Sequence, residues 1–219
     1  MTEKFDYYDT LSFFVPGMLL LGWIVICFPS LVQLGSSANF PSAFATLLLM
    51  ALSLFLGQII QAVASIVEPV IYRTWGGRPS DRAIQAGIKD YLPEETAIRI
   101  RKKLEKAIGE QTEIHSLFLF AMQSSDSAGA GRSRQFNSLY AYHRGLLVLL
   151  FLSGLILLGS MKWGGAASFG IWQNVAASLS VALLTVLIWH RAKQRAFYYV
   201  REVLLTAERV LDSHGTVKE

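Results

Sequence analysis

Residues 10–67 pass without one Asp, Glu, Lys or Arg, a run of 58 positions. No ordinary water-facing surface can be built from such a stretch. A helix crossing the hydrocarbon core of a bilayer needs about 20 apolar residues, so this run has room for two crossings. Residues 145–190 form a second block, 46 long, whose single charge is Lys162, with room for two more. Charged residues make up 16% of the chain against about 25% in soluble domains. That balance excludes both a disordered chain and an ordinary soluble enzyme. The expected fold is an all-α membrane protein: four transmembrane helices, a helical cytoplasmic loop and a long helical C-terminal extension.

Local signals place the four spans near residues 11–34, 42–71, 140–161 and 171–190. Pro16 and Gly17 fall in the first turns of the first span, where proline is tolerated. Pro29 with Gly35-Ser36-Ser37 closes it, Pro41 opens the second and Pro69 ends it. Gly164, Gly165 and Gly170 punctuate the last turn. Trp23 lies mid-span rather than at an interface, which predicts packing against another helix. The leading segment is net acidic through Glu3, Asp6 and Asp9 against Lys4, unlike a secretory signal, so the first apolar stretch is expected in the mature protein. Four segments follow: residues 1–71 with two spans, 72–139 as the loop, 140–190 with two spans, and 191–219 as the tail.

Orientation follows from the basic residues. Twelve lie between residues 72 and 144 and six after His190, eighteen of the twenty in the chain. The loop, the tail and both termini are therefore expected in the cytoplasm, with the protein in the bacterial inner membrane.

The loop is too long for a plain connector and reads as three helices. Ser80 can cap the first, with Ile84, Ile88 and Tyr91 on one face. Pro93-Glu94-Glu95 opens the second, with Ala97, Ile100, Leu104, Ala107 and Ile108 as its apolar stripe. Thr112 can cap a third that contains residues 117–122. Residues 124–133 are rich in Ser, Gly and Ala and read as a flexible break. The tail holds Phe197, Val200, Leu204, Ala207 and Leu211 at spacings 3, 4, 3, 4. This stripe either packs on the chain's own loop helices or forms an oligomerisation seam. With span four it would make a helix of about 40 residues, near 60 Å.

No catalytic motif is present, neither a nucleophile elbow nor a metalloprotease, phosphate-loop or dinucleotide signature. The expectation is a non-enzyme without cofactor. Cys27 is the only cysteine, so no disulfide or cysteine-based metal site can form. His115, His143, His190 and His214 are dispersed; His143 and His190 flank membrane ends and could meet. Gln58, Gln61, Ser65 and Glu68, at spacings 3, 4, 3, share one face of span two. Asn174, Ser178 and Thr185 share one face of span four. Polar groups at membrane depth must face protein or water, so these seven residues are either helix–helix glue or the lining of a pore. Four spans are too few to enclose a wide pore alone, so a channel would need several copies. Arg99, Arg101, Lys102, Lys103 and Lys106 form a basic cluster, joined by Arg132 and Arg134. Tyr140, Tyr142, His143 and Arg144 set aromatics beside a cation. These suit anionic headgroups, plain solvation, or a polyanion such as a nucleotide or single-stranded nucleic acid.

The opening Phe5-Asp6-Tyr7-Tyr8-Asp9, followed by residues 11–21 with Pro16-Gly17, resembles small membrane proteins of bacterial anti-phage loci. The four-span layout, inward loop and long tail are similar to the effector of the Hailong defence system. That resemblance implies a homo-oligomeric, tetrameric ion channel in membrane lipid. A nucleotidyltransferase partner would make single-stranded DNA that keeps it shut, and phage infection would release the block and depolarise the cell. No site residue is carried over by motif. The leading expectation is therefore a channel gated by a cytoplasmic anionic ligand. The alternative is a non-conducting anchor, scaffold or sensor subunit that binds a cytoplasmic protein. A transporter ranks below both, because no internal repeat is found.

Overall fold

The computed structural model describes residues 7–28, 41–109, 112–127, 131–162 and 170–215, and about nine-tenths of these are helical, with no strand among them. The helices are α1 (Tyr7–Cys27), α2 (Ser42–Thr74), α3 (Pro79–Ala86), α4 (Glu94–Ile108), α5 (Ile114–Ser127), α6 (Gly131–Lys162) and α7 (Ile171–Gly215). Among the described residues, three stretches are long and apolar enough to cross a membrane: Ser42–Ala86, Arg132–Gly159 and Trp172–Ser213, with mean hydropathies of 2.2, 1.8 and 1.6. The apolar part of α1, Ser12–Cys27, is shorter. Residues 29–40, which include the expected end of the first span, lie outside the described residues, as do residues 163–169 with Gly164 and Gly165.

The chain divides into two compact units. An apolar unit comprises Met1–Val67 and Ala141–Ala192, and a loop–tail unit comprises Glu68–Tyr140 and Lys193–Glu219. In the apolar unit, α1 and α2 meet backbone to backbone. A Cβ built on Gly17 would collide with the Ser53 carbonyl, and one on Gly57 with the Phe13 carbonyl. Small residues at such crossings let helices approach where no hydrophobic gradient drives them together. Around the crossing, Leu20, Ile60, Ala64, Val148 and Leu149 form the core. Trp23 Nε1 donates to the Ser153 carbonyl at 3.1 Å, so it packs on another helix as its mid-span position predicts. Pro16 is not in a first turn: α1 starts at Tyr7, and Pro16 is interior and fully buried.

In the loop–tail unit, α3, α4 and α5 pack with the end of α7. Their core holds Ile84, Leu92, Ile100, Leu104, Leu117 and Leu204, all at most 1% exposed. Several local expectations are corrected. Helix α2 does not stop at Pro69 but runs to Thr74. A proline removes one ladder bond, while the rings of Tyr72 and Trp75, 5.6 Å apart, hold the last turn with Tyr140. Ser80 caps nothing, because Pro79 already occupies the first turn and Ser80 Oγ donates to Asp81 instead. Helix α3 ends at Ala86 because Gly87 takes φ +71°, a conformation costly for any side chain. Ile88 therefore leaves the helix and pairs with Leu92 across a tight turn. In α4, Ala97, Ile100 and Leu104 are buried, but Ala107 and Ile108 are exposed. Thr112 Oγ1 donates back to the Gly109 carbonyl and does not cap α5. The expected break at residues 124–133 is narrower: α5 reaches Ser127 and α6 begins at Gly131, with residues 128–130 outside the described set. The described part of the tail is helical as expected: α7 runs unbroken for 45 residues, from Ile171 to Gly215.

Candidate functional site

The two sets of expected pore residues differ in their surroundings. On α2, Gln61 is buried, and its Nε2 donates to the Ser12 carbonyl at 3.0 Å and the Ala141 carbonyl at 3.2 Å. One amide thus ties α1, α2 and α6 together. Gly145 on α6 makes this close approach feasible, since a Cβ there would lie 2.6 Å from Gln61 Nε2. Ser65 is exposed, donates to the Gln61 carbonyl at 3.0 Å and accepts from Arg144 Nη2 at 3.4 Å. Gln58 is exposed among the exposed apolar side chains Leu54, Phe55 and Ile59. On α7, Ser178 is exposed, while Asn174 and Thr185 are half-buried; Thr185 Oγ1 donates to the Val181 carbonyl at 2.7 Å. The apolar window of this helix is barely packed on its own chain, with 6% of its residues buried.

Glu68 begins the loop–tail unit. Its Oε1 accepts the phenol hydrogens of Tyr72 at 2.6 Å and of Tyr140 at 2.7 Å. Tyr140, expected to stack on a ligand, is instead buried against this carboxylate and against Trp75. Only half of this cluster was visible in the chain's order. Glu68 and Tyr72 are one helical turn apart, whereas Tyr140 is 72 residues away. Tyr142 sets its ring edge-on to His143, centroids 5.5 Å apart, and His190 is exposed.

The basic cluster is largely engaged within the fold. Arg99 clamps Glu208 with two bonds, Nε to Oε1 at 2.7 Å and Nη2 to Oε2 at 3.2 Å. Lys103 reaches both Glu208 and Asp212, at 2.8 and 2.9 Å. Arg101 pairs with Glu105 one turn on, at 2.7 Å. The Arg99 guanidinium, and secondarily Lys103, hold the Glu208 carboxyl below the usual carboxylate range, against the upward push of burial. Both cations are raised in turn by their acidic partners. The cluster therefore stitches α4 to the end of α7; Arg99 stays exposed while paired, and Lys102 and Lys106 are exposed outside these ion pairs. Arg132 and Arg134 are exposed on the first turns of α6, and Arg134 borders a cavity of about 130 Å³ with Asp126 and Asn137. The expected seam of Phe197, Val200 and Leu204 lies in the core of the same chain, with Leu211 packed at its edge. That seam is thus filled by the chain's own loop helices.

A second constellation escaped the sequence altogether. Arg78 Nη1 donates to His115 Nδ1 at 3.3 Å, and both border a cavity of about 220 Å³ that Glu68, Tyr72, Tyr140 and Tyr199 also line. Residues from four helices and the turn before α3 converge there, so no linear spacing signals it. Comparison with known protein families, with curated proteins and with solved structures found no match.

Proposed function

We propose that this chain is a subunit of an oligomeric membrane channel, gated from the cytoplasm by an anionic ligand. One observation carries the reading. Gln58 sits exposed midway along an apolar helix, between Phe55 and Ile59, which are themselves 63% and 41% exposed. An amide transferred to hydrocarbon without a partner costs roughly 2–7 kcal/mol. A second copy or a water-filled path removes that cost, and both require assembly. The sparsely packed α7 window, with exposed Ser178, offers a second polar surface for the same purpose. Gln58, Asn174, Ser178 and Thr185 then border the path, while Gln61 serves as the tie inside each subunit. Assembly runs through the apolar unit rather than through the tail stripe. Within the basic cluster, Lys102, Lys106, Arg132 and Arg134 are exposed and outside the ion pairs of Arg99, Arg101 and Lys103, and these meet an anion such as a nucleotide or single-stranded DNA. An anti-phage role that depolarises the bacterial inner membrane belongs to this proposal through the resemblance alone.

The internal bonds of Gln61 and Glu68 favour the second reading, a non-conducting anchor for a cytoplasmic partner. Purified protein separates the two. Mass measurement in detergent should give a closed oligomer, and reconstituted vesicles should pass ions. Gln58→Leu should cut that flux at least severalfold with the mass unchanged. A monomer refutes the channel, and an oligomer that conducts nothing under any ligand leaves the anchor.

A further inference from the structure

The 220 Å³ cavity of the loop–tail unit is lined mostly by apolar groups, among them Phe118, Leu119 and Met122. Its polar lining is specific. Glu68 brings a carboxylate braced by two phenols, at 2.6 and 2.7 Å. Arg78 brings a guanidinium whose Nη1 donates to His115 Nδ1 at 3.3 Å. The guanidinium carries further N–H groups, so Arg78 retains donors for another acceptor. One small cavity thus offers an acceptor with aromatic rings for a cation and guanidinium donors for an anion.

We propose that this cavity binds a group carrying both an ammonium and a phosphate, namely phosphoethanolamine. The ammonium would sit at the Glu68 carboxylate beside the rings of Tyr72 and Tyr140, where charge and ring quadrupole act together. The phosphate would take charge-assisted bonds from the Arg78 guanidinium, which the His115 ring braces through Nη1. Size supports a group of this scale: pockets for drug-sized ligands run to about 300–1,000 Å³, so a cavity of about 220 Å³ is too small for a nucleotide oligomer. The apolar lining accepts the first carbons of a lipid. Three lining elements also adjoin the uncharged runs in sequence: Glu68 directly follows residues 10–67, Tyr140 precedes residues 145–190 and Ala196 follows them. The group can therefore reach the cavity on a phospholipid or as the free solute.

The test uses the full chain, delipidated in a maltoside detergent, and reads thermal unfolding with three probes. These are lysophosphatidylethanolamine, lysophosphatidylglycerol and O-phosphoethanolamine. A probe carrying phosphoethanolamine at a hundredfold excess over its Kd should raise Tm by about 5–10 °C, and lysophosphatidylglycerol should not. A shift from the lysolipid alone assigns the lipid as source; an equal shift from O-phosphoethanolamine assigns the free solute. Glu68→Gln, which keeps an acceptor for both phenols, and Arg78→Ala, at an exposed position, should each abolish the shift. Equal shifts from both lysolipids, no shift from any probe, or a shift that survives both substitutions would overturn the proposal. The three-probe comparison on the unsubstituted chain decides even if a variant fails to fold. Binding here is read independently of ion flux, so its failure leaves the channel reading untouched.

Discussion

Replacing Gly57 by alanine adds one methyl group where α1 and α2 touch. The ideal Cβ falls on the backbone carbonyl of Phe13, nearer than any real contact. A side chain could rotate away from it, but a carbonyl held in a helix cannot, so the helices must separate. Overpacking costs typically 1–3 kcal/mol, and a backbone obstruction belongs at the upper end. Separation also stretches the Gln61 bond to the Ser12 carbonyl, now 3.0 Å, with a further loss of about 1 kcal/mol. We expect Gly57→Ala to destabilise the apolar unit by about 3–4 kcal/mol. Gly22→Ala is the internal control. A Cβ there meets nothing within 4 Å, and alanine is the better helix former by about 1 kcal/mol. Unfolding in mixed micelles of rising SDS fraction, followed by Trp fluorescence, measures both. If the two variants unfold together, α1 and α2 do not cross at Gly17 and Gly57, and the packing argument is wrong.

Glu208 sets an acid limit. Its folded pKa lies below its unfolded value of about 4.3, so its contribution to stability is complete above the unfolded value. It fades as pH falls through the folded one. Unfolding between pH 6 and 3 should show that loss in the native chain and a flatter profile in Glu208→Gln; parallel profiles would remove the ion cluster from the account. Leu204 is fully buried in the loop–tail core, and Leu204→Ala should cost about 2–5 kcal/mol. Protease resistance of α4 and α5 reports this loss, and unchanged resistance would mean that the stripe packs elsewhere.

Membrane character, helical content and the tail helix were legible in the chain itself. An uncharged run of 58 residues has few physical solutions, and a stretch without Gly or Pro after residue 170 has little to stop a helix until Gly215. Periodicity also marked the right apolar faces: Ala97, Ile100 and Leu104 on α4, and Phe197, Val200 and Leu204 on α7. Periodicity states which face is apolar, not what covers it. Only the tertiary structure decided that the tail stripe packs on the chain's own helices and that Gln61 is a tie between three helices. It also decided that Arg99 and Lys103 pair with Glu208. The cavity of Glu68, Arg78 and His115 lay wholly beyond sequence reasoning. Its groups are drawn from positions 68 to 200, and polar side chains so far apart acquire a common chemistry only when packing of apolar surface, which carries no memory of sequence separation, brings them within a few ångströms of one another.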